Sequence, residues 1–248
     1  MSPDQKNSLK RQLSKYPLLA LWIAKTRSVL LGVAAIPFRL RYCFTASVPF
    51  SVKLVGIHRI AIGHNSVIGA NSWLNVNELK ASGTALSVGN HCFIGMGNFF
   101  SVGRTITVGD YCLTTKGCSF VGATHVYDDP LRPYLSTGVT NSGDITIGVN
   151  CFFGLGAQVI GNVSIGHGCV IGAGAVVRKN VPPFSLVVGV PGRVIKRFDF
   201  ARKTWVRWPS EGYTEGPDEA VYRARLRQEN GAPVHHLSAA AGWLRDIA

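Results

Sequence analysis

Residues 147–177 read IGVNCF FGLGAQ VIGNVS IGHGCV IGAGAV V, so that a large apolar residue opens every group of six. The residue after it is glycine in four of the groups, and the residue four places on is small or modest in size. A helical face needs spacings of three and four, and a half-buried strand needs a strict period of two. A period of six with a glycine therefore predicts a short strand and a turn that repeat, which is typical of a parallel β-helix.

The same frame returns upstream in three shorter runs that are out of phase with one another. They begin at Ile62, Val88 and Val108, and small residues again stand four places after most of the large ones. The phase shifts predict extra residues near positions 75–87, 101–107 and 121–146. A solenoid extrudes such insertions as loops, often on its binding face. We therefore expect an all-β fold with one β-helix and a long loop over residues 121–146.

The chain divides into three segments by composition. We expect an N-terminal amphipathic helical segment over residues 1–49, the β-helix over residues 50–198 and a C-terminal extension over residues 199–248. The apolar stretch of the first segment contains Lys25 and Arg27, which argue against a membrane-spanning helix. Two interpretations stay open for it: a cap on the β-helix, or a helix in peripheral contact with an anionic membrane. In the C-terminal extension, residues 217–229 and 234–247 predict weak helices with solvated charges.

The charge and the cysteines bound the partners and the compartment. A formal net charge of +13 indicates anionic partners, and the lack of aromatic-basic interleaving or zinc-finger spacing argues against nucleic acid. Five cysteines fall on the small position of the repeat, where we expect them to be buried and reduced: Cys92, Cys112, Cys118, Cys151 and Cys169. Reduced cysteines predict a cytoplasmic protein. The membrane interpretation would place it at the inner face.

The segment Ile165-Gly-His-Gly-Cys-Val-Ile-Gly-Ala-Gly-Ala-Val-Val-Arg-Lys-Asn-Val-Pro-Pro183, continued by Gly189-Val-Pro-Gly-Arg-Val-Ile195, resembles the ending of the hexapeptide-repeat acyltransferases. These include galactoside, maltose and serine O-acetyltransferases and the sugar O-acetyltransferases of polysaccharide synthesis. The resemblance covers residues 55–198. It implies a left-handed parallel β-helix, a homotrimer, and acyl transfer from acetyl-CoA or another acyl-CoA to a sugar or glycan acceptor, with no metal required.

The resemblance also implies a catalytic histidine in the loop before the last block of repeats. Gly122-Ala-Thr-His125 occupies that place, so His125 is the candidate general base. A neutral imidazole can accept a hydroxyl proton at physiological pH. Asp128 and Asp129 are the nearest groups that could orient it, or they shape the turn before Pro130. The other repeat histidines, His64, His91 and His167, fall at outward turn positions.

The donor and acceptor residues follow from the same comparison. The resemblance places coenzyme A along the last coils, on Gly154, Gly156, Ala173, Arg178, Lys179, Arg193 and Lys196. Near His125, three side chains could hold the acceptor or pack the loop on a neighbour: Tyr127, Arg132 and Tyr134.

Two other classes of protein compete with the enzyme interpretation. A γ-type carbonic anhydrase shares the β-helix but needs three histidines on zinc, two of them separated by four residues, and the sequence has no such pair. A non-catalytic scaffold would use only the faces of the β-helix. It predicts no thiol release from acetyl-CoA with any acceptor.

Overall fold

The computed structural model describes residue 33, residues 35–140 and residues 143–229. The chain divides into two compact units, Met1–Arg41 and Tyr42–Ala248. Helix α1 spans Ile36–Tyr42 and carries Arg39 and Arg41 in its last turn. Most of the predicted N-terminal helical segment, and the weak helix predicted over residues 234–247, lie outside the described residues.

The second unit is built from three parallel sheets, here called faces A, B and C. Face A contains β1 (Ala46–Ser47), β4 (Ser66–Ile68), β7 (Phe93–Ile94), β10 (Leu113–Thr114), β15 (Phe152–Phe153), β18 (Val170–Ile171) and β20 (Ser185–Val188). Face B contains β2 (Lys53–Val55), β5 (Trp73–Val76), β8 (Phe99–Val102), β11 (Ser119–Val121), β16 (Gln158–Ile160) and β19 (Val176–Val177). Face C contains β3 (Ile60–Ile62), β6 (Leu86–Val88), β9 (Thr105–Val108), β14 (Asp144–Ile147) and β17 (Val163–Ile165).

The chain visits faces A, B and C in turn, and each circuit is one coil. Every strand pairs in parallel with the strand one coil on, as β8 pairs with β5 and β11. The backbone hydrogen bonds of these short strands are therefore satisfied between coils, which explains how segments of two to four residues are stable. We number the coils 1 to 6, so that β10, β11 and β14 form coil 4 and β18 and β19 belong to coil 6. The predicted parallel β-helix is confirmed.

The large residues of the six-residue frame point into the β-helix and form its core. All of the following are buried: Ile62, Ile68, Leu74, Val88, Ile94, Phe100, Val108, Thr114, Phe120, Ile147, Phe153, Val159, Ile165, Ile171 and Val177. Three aromatic rings pack in a row through successive coils: Phe100 stacks on Phe120 with ring centroids 4.7 Å apart, and Phe120 meets Phe153 edge to face with centroids 5.2 Å apart. The period of six is therefore the repeat of inward-facing positions, as the sequence predicts.

The small positions are buried as well, and one set of them forms a column at the start of face A. The column contains Ser66, Cys92, Cys112, Cys151, Cys169 and Ser185. The glycine after each large residue has a packing reason, because a Cβ on Gly148 would lie 2.5 Å from the backbone N of His167. Successive coils thus pack backbone on backbone at these corners. All five repeat cysteines are buried and unpaired, as predicted.

Two insertions leave the β-helix, and both lie between faces B and C. They span residues 77–85 and 122–143, because β11 ends at Val121 and β14 begins at Asp144. The insertion predicted over residues 101–107 is wrong. There β8 and β9 each grow to four residues, and only Gly103 and Arg104 lie between them. Extra residues shift the phase of the repeat whether they lengthen the strands or form a loop. The spacing of the large residues alone therefore could not distinguish the two structures.

The C-terminal extension continues the fold. Strands β21 (Arg193–Asp199) and β22 (Thr204–Arg207) add antiparallel to β20, and helix α2 (Glu219–Glu229) follows. Arg223 and Arg227 of α2 contact the carboxylate of Asp110 at 3.6 and 3.7 Å. The His167 ring lies 3.0 Å from the carbonyl oxygen of Pro217 and is buried. The prediction of helix over residues 217–229 is confirmed. His167 lies at an outward corner between faces C and A, as predicted, but the C-terminal segment covers it. Arg225 and Arg227 are exposed, whereas Arg223 is partly covered beside Asp110.

Candidate active site

One edge of the β-helix carries most of the predicted site residues. We call it the BC edge, because the chain passes there from face B to face C in every coil. It consists of residues 56–59, 77–85, 103–104, 122–143, 161–162 and 178–180. Neighbouring coils are about 4.8 Å apart, so residues 122–143 on coil 4 and residues 178–180 on coil 6 leave the edge about 10 Å apart along the axis. His125 and the donor candidates Arg178 and Lys179 thus lie on a common edge.

We call residues 122–143 the His125 arm, and its residues 124–140 form a two-stranded ribbon. Strand β12 (Thr124–His125) pairs antiparallel with β13 (Val139–Thr140). Beyond the pair, the N–H of Val126 donates to the carbonyl oxygen of Gly138 at 3.2 Å. The side chain of His125 is exposed, so its imidazole is accessible to an acceptor. A general base must come within hydrogen-bond reach of the acceptor hydroxyl, and an accessible ring on an ordered ribbon can do so.

The two aspartates of the arm differ in what they contact. Asp129 Oδ1 accepts the N–H of Leu131 at 3.0 Å, which is the hydrogen bond of an Asx turn. In the part of the chain that the structure describes, neither Asp128 nor Asp129 is hydrogen-bonded to the His125 ring. Turn formation therefore accounts for Asp129. An orienting role for Asp128 stays a prediction.

The candidate acceptor residues lie further out on the arm. Tyr127 and Arg132 are exposed, and Tyr134 begins the 3-10 turn Tyr134–Ser136. The same part of the arm exposes Leu131 and Leu135, which are 93% and 91% accessible. The sequence predicted the polar groups here, but it gave no sign that two leucines would stand uncovered beside them.

A cavity of about 270 Å³ opens at the coil 6 end of the BC edge. It is lined by Arg178, Lys179, Pro191, Gly192 and Arg193. The N–H of Gly192 donates to the carbonyl oxygen of Val176 at 2.7 Å, which brings the 191–193 turn against the end of β19. Three predicted basic donor residues therefore meet in one cavity that has no carboxylate in its lining. Such a cavity favours a phosphate-bearing ligand.

The other predicted donor residues lie elsewhere. Lys196 follows on β21 and is exposed but does not line the cavity. Gly154, Gly156 and Ala173 lie at the corner between faces A and B, at the opposite end of the face B strands. A Cβ on Gly154 would lie 2.6 Å from the backbone N of Ala173, so coil packing already requires this glycine.

Sequence reasoning missed the apolar part of the cavity. Pro191 and Gly192 belong to the block from Gly189 to Ile195. Only its basic residue Arg193 was predicted to contact coenzyme A, because phosphate groups favour cations. The bend that Pro191 and Gly192 make is the signal that could have identified them, since it turns the chain back beside β19.

Among residues 33, 35–140 and 143–229, no group of three or more His, Cys, Asp or Glu side chains could hold a metal ion. In the same part of the chain, no helix is long and apolar enough to cross a bilayer.

Comparison with known proteins agrees with the repeat and the fold. Residues 144–179 match the family described as the hexapeptide repeat of succinyl-transferase. A probable acetyltransferase from Mycobacterium tuberculosis is 29% identical over 158 residues, which cover 62% of this chain and 52% of the relative. A serine acetyltransferase from Synechococcus elongatus is 39% identical over 116 residues, which cover 44% of this chain and 40% of that protein. The chain thus spans about half the length, or less, of these curated relatives.

A solved structure shares the fold. It is an N-acyltransferase from Bacillus cereus in complex with dTDP and Coenzyme A, which matches with a TM-score of 0.51 and 21% identity over 61% of this chain and 80% of that one. The resemblance to the hexapeptide-repeat acyltransferases is therefore confirmed for the repeat and the fold.

Proposed function

We propose that this chain is a coenzyme A dependent O-acyltransferase that acts on a sugar or glycan intermediate, with acetyl as the first acyl group to test. One observation carries the proposal: the BC edge holds the exposed His125 and, two coils on, a cavity lined by three cations. The curated relatives that match are named as acetyltransferases, and the similar solved structure holds Coenzyme A. These names support the reaction class.

His125 has two tasks in this reaction, while the bound thioester supplies the acyl group. The neutral imidazole accepts the proton of the acceptor hydroxyl as its oxygen attacks the thioester carbonyl. When the carbon–sulfur bond breaks, the imidazolium returns the proton to the departing thiolate. No nucleophile of the protein is consumed. Arg178, Lys179 and Arg193 would bind the donor through its phosphates, because guanidinium and ammonium groups make charge-assisted hydrogen bonds to them.

We also propose that the protein is a homotrimer of left-handed β-helices. The outer surface of face A supports self-association, because one in-register column of outward residues is apolar in every coil from β4 to β20. It consists of Val67, Phe93, Leu113, Phe152, Val170 and Leu186. Leu131 and Leu135 on the His125 arm are further apolar groups that a neighbouring copy could cover.

The role of His125 is tested by replacing it with alanine and with asparagine. Both replacements remove the proton acceptor and leave every repeat position intact, so the turnover number should fall by about 10²- to 10⁴-fold with little change in KM for the acyl-CoA. The measurement is thiol release from acetyl-CoA and longer acyl donors across a panel of sugar and lipid-linked acceptors. His91→Asn is the matched control. His91 lies at the corner between faces C and A, and asparagine tolerates its φ of 57°.

Two outcomes would count against the proposal in different ways. An active His125→Ala enzyme with an unchanged pH profile would end the assignment of His125 as the base. Failure of the unaltered protein to release thiol with any donor or acceptor would instead favour the scaffold interpretation.

A further inference from the structure

The His125 arm leaves the β-helix at a point where three glycines interlock. Gly122 and Gly143 are its two ends, and Gly103 is the corner of the coil before it. A Cβ added to Gly103 or to Gly143 would come closer than 3.0 Å to the carbonyl oxygen of Gly122. Real Cβ atoms do not approach backbone oxygen this closely, so only glycine fits at these positions. The two ends of the arm are thereby packed directly against coil 3.

An ion pair lies beside these glycines. Arg104 Nε is 2.9 Å from each carboxylate oxygen of Asp144, and its Nη2 donates to the same group. Thr105 Oγ1 also donates to Asp144 Oδ1 at 2.8 Å. The backbone N–H of Asp144 donates to Asn162 Oδ1 at 3.1 Å, and the N–H of Arg104 donates to the carbonyl oxygen of Gly143 at 3.0 Å. The returning end of the arm is therefore fixed to coil 3 and coil 5 together.

The carboxylate of this pair stays ionised at neutral pH. Hydrogen bonds from Arg104 lower the pKa of the Asp144 carboxyl to about 2. A lowered pKa in the folded state means that the contribution of the pair is present above the ordinary range near pH 4 and fades only below it. The pair is therefore present across the neutral pH range in which activity would be measured.

The arm depends on this root for its direction. The described hydrogen bonds of residues 123–140 all lie within the arm. His125 is three residues from Gly122, or about 10 Å along an extended chain. A tilt of about 10° at the root would thus move the ring by about 2 Å. A displacement of about 1 Å can cost about 100-fold in rate when a catalytic group must meet its substrate.

We propose that Arg104 and Asp144 are positioning residues for His125, holding the root of the arm so that the imidazole meets the acceptor hydroxyl. This inference rests on the proposed role of His125. Neither residue touches the reacting atoms in this view. Both act through the direction of the arm.

The test uses Arg104→Gln, Asp144→Asn and the double variant in the full chain. Each single variant should lower kcat by about 10- to 100-fold, since loss of either partner releases the root. The double variant should match the singles within about twofold, because the pair is already broken in each. KM for acyl-CoA and the pH midpoint of kcat should not move, as the cavity on coil 6 and the His125 ring are untouched. Asp144→Glu should restore part of kcat.

A matched control separates positioning from general stability. Glu219→Gln removes an ion pair with Arg223, which is also partly exposed but lies on the corner between faces C and A. It should leave kcat unchanged. Melting temperatures of all variants should stay within a few degrees, because Arg104 is 67% exposed and exposed pairs contribute little to stability.

Three results would overturn the inference. They are a wild-type kcat in both single variants, multiplicative losses in the double variant, or a rise in KM for acyl-CoA. If His125→Ala is inactive while the root variants keep full kcat, this inference fails alone. If His125→Ala is active, the proposed function fails first.

Discussion

At the scale of single residues, the positions in the column at the start of face A hold small side chains that can donate a hydrogen bond. Cys151 Sγ lies 3.2 Å from the carbonyl oxygen of Gly166 in the next coil, and Ser66 Oγ donates to the carbonyl oxygen of Gly89 at 2.7 Å. Serine and cysteine thus make the same kind of hydrogen bond to a carbonyl oxygen at different positions of one column. Burial raises the pKa of the Cys112 and Cys151 thiols, so both stay protonated and able to donate.

Cys151→Ser should therefore be mild and Cys151→Leu should be severe. Serine keeps the donor at nearly the same volume, and we expect a loss of about 1 kcal/mol or less in the free energy of unfolding. Leucine adds carbons between Cys112 and Cys169 and should cost about 3 kcal/mol, the upper end of the overpacking range. Urea midpoints at fixed protein concentration measure both. Equal losses in the two variants would contradict the view that volume decides this column.

The sequence predicted this column because inward positions repeat with a fixed period. It did not predict Asn98, which occupies a buried position of the repeat on coil 3 and donates to the carbonyl oxygens of Gly95 and Thr115, each at 2.8 Å. The Thr115 partner belongs to another coil, and a polar residue in a core position is understood only when its partners are known. The same limit hid the pair of Arg104 and Asp144.

At the scale of elements, the bend between β21 and β22 is organised around one buried carboxylate. Asp199 is fully buried and accepts the N–H and Nη1 of Arg202 at 2.9 and 3.0 Å, and the N–H of Thr214 at 3.4 Å. These hydrogen bonds, that of the Arg202 N–H first, lower the pKa of Asp199. A lowered pKa in the folded state stabilises the protein above the ordinary carboxyl range near pH 4, and this contribution is lost as the pH falls below it.

Asp199→Asn should therefore change the pH dependence of stability. The variant should melt lower than the unaltered protein at pH 7, and the difference should shrink as the pH falls from about 5 to 3. Melting temperatures at pH 7, 5, 4 and 3 test this. Asp129→Asn is the control, since that carboxylate is exposed in a turn. Parallel melting curves for Asp199→Asn and the unaltered protein across the whole range would show that the carboxylate does not act as argued.

Element boundaries were predictable where the period was unbroken and failed where it was not. The strands from β14 to β19 follow the frame of six residues, and α2 was predicted within residues 217–229. The ribbon of the His125 arm was predicted only as a loop, because β12 and β13 are two residues each and 13 residues separate them. Besides Glu219 on its own helix, Arg223 contacts Asp110 far upstream, and no local pattern connects Arg223 with Asp110.

At the scale of the whole molecule, the outer surfaces of faces A and C differ in polarity. The outer column of face C carries Ser87, Thr107, Thr146 and Ser164, whereas that of face A is apolar in the corresponding coils. The six residues of the apolar column from β4 to β20 are separated by five spacings of about 4.8 Å, which gives the column a length of about 24 Å. A continuous apolar strip of this length is expected to be covered by another protein surface. The polar column of face C needs no such cover.

We therefore expect the unaltered protein to have the mass of three chains in solution and Phe152→Lys to lower it. Phe152 is near the centre of the apolar column, between Leu113 and Val170, so a lysine there would place a charge inside the interface without touching the core. Ser164→Lys puts the same charge on the outer column of face C and should leave the mass unchanged. Sedimentation equilibrium measures all three proteins.

If the arms of neighbouring copies complete the site, Phe152→Lys should also lose activity in proportion to dissociation, and activity should return as the protein concentration is raised. A monomeric unaltered protein with full turnover would contradict both the assembly and the idea that Leu131 and Leu135 are covered by a second copy.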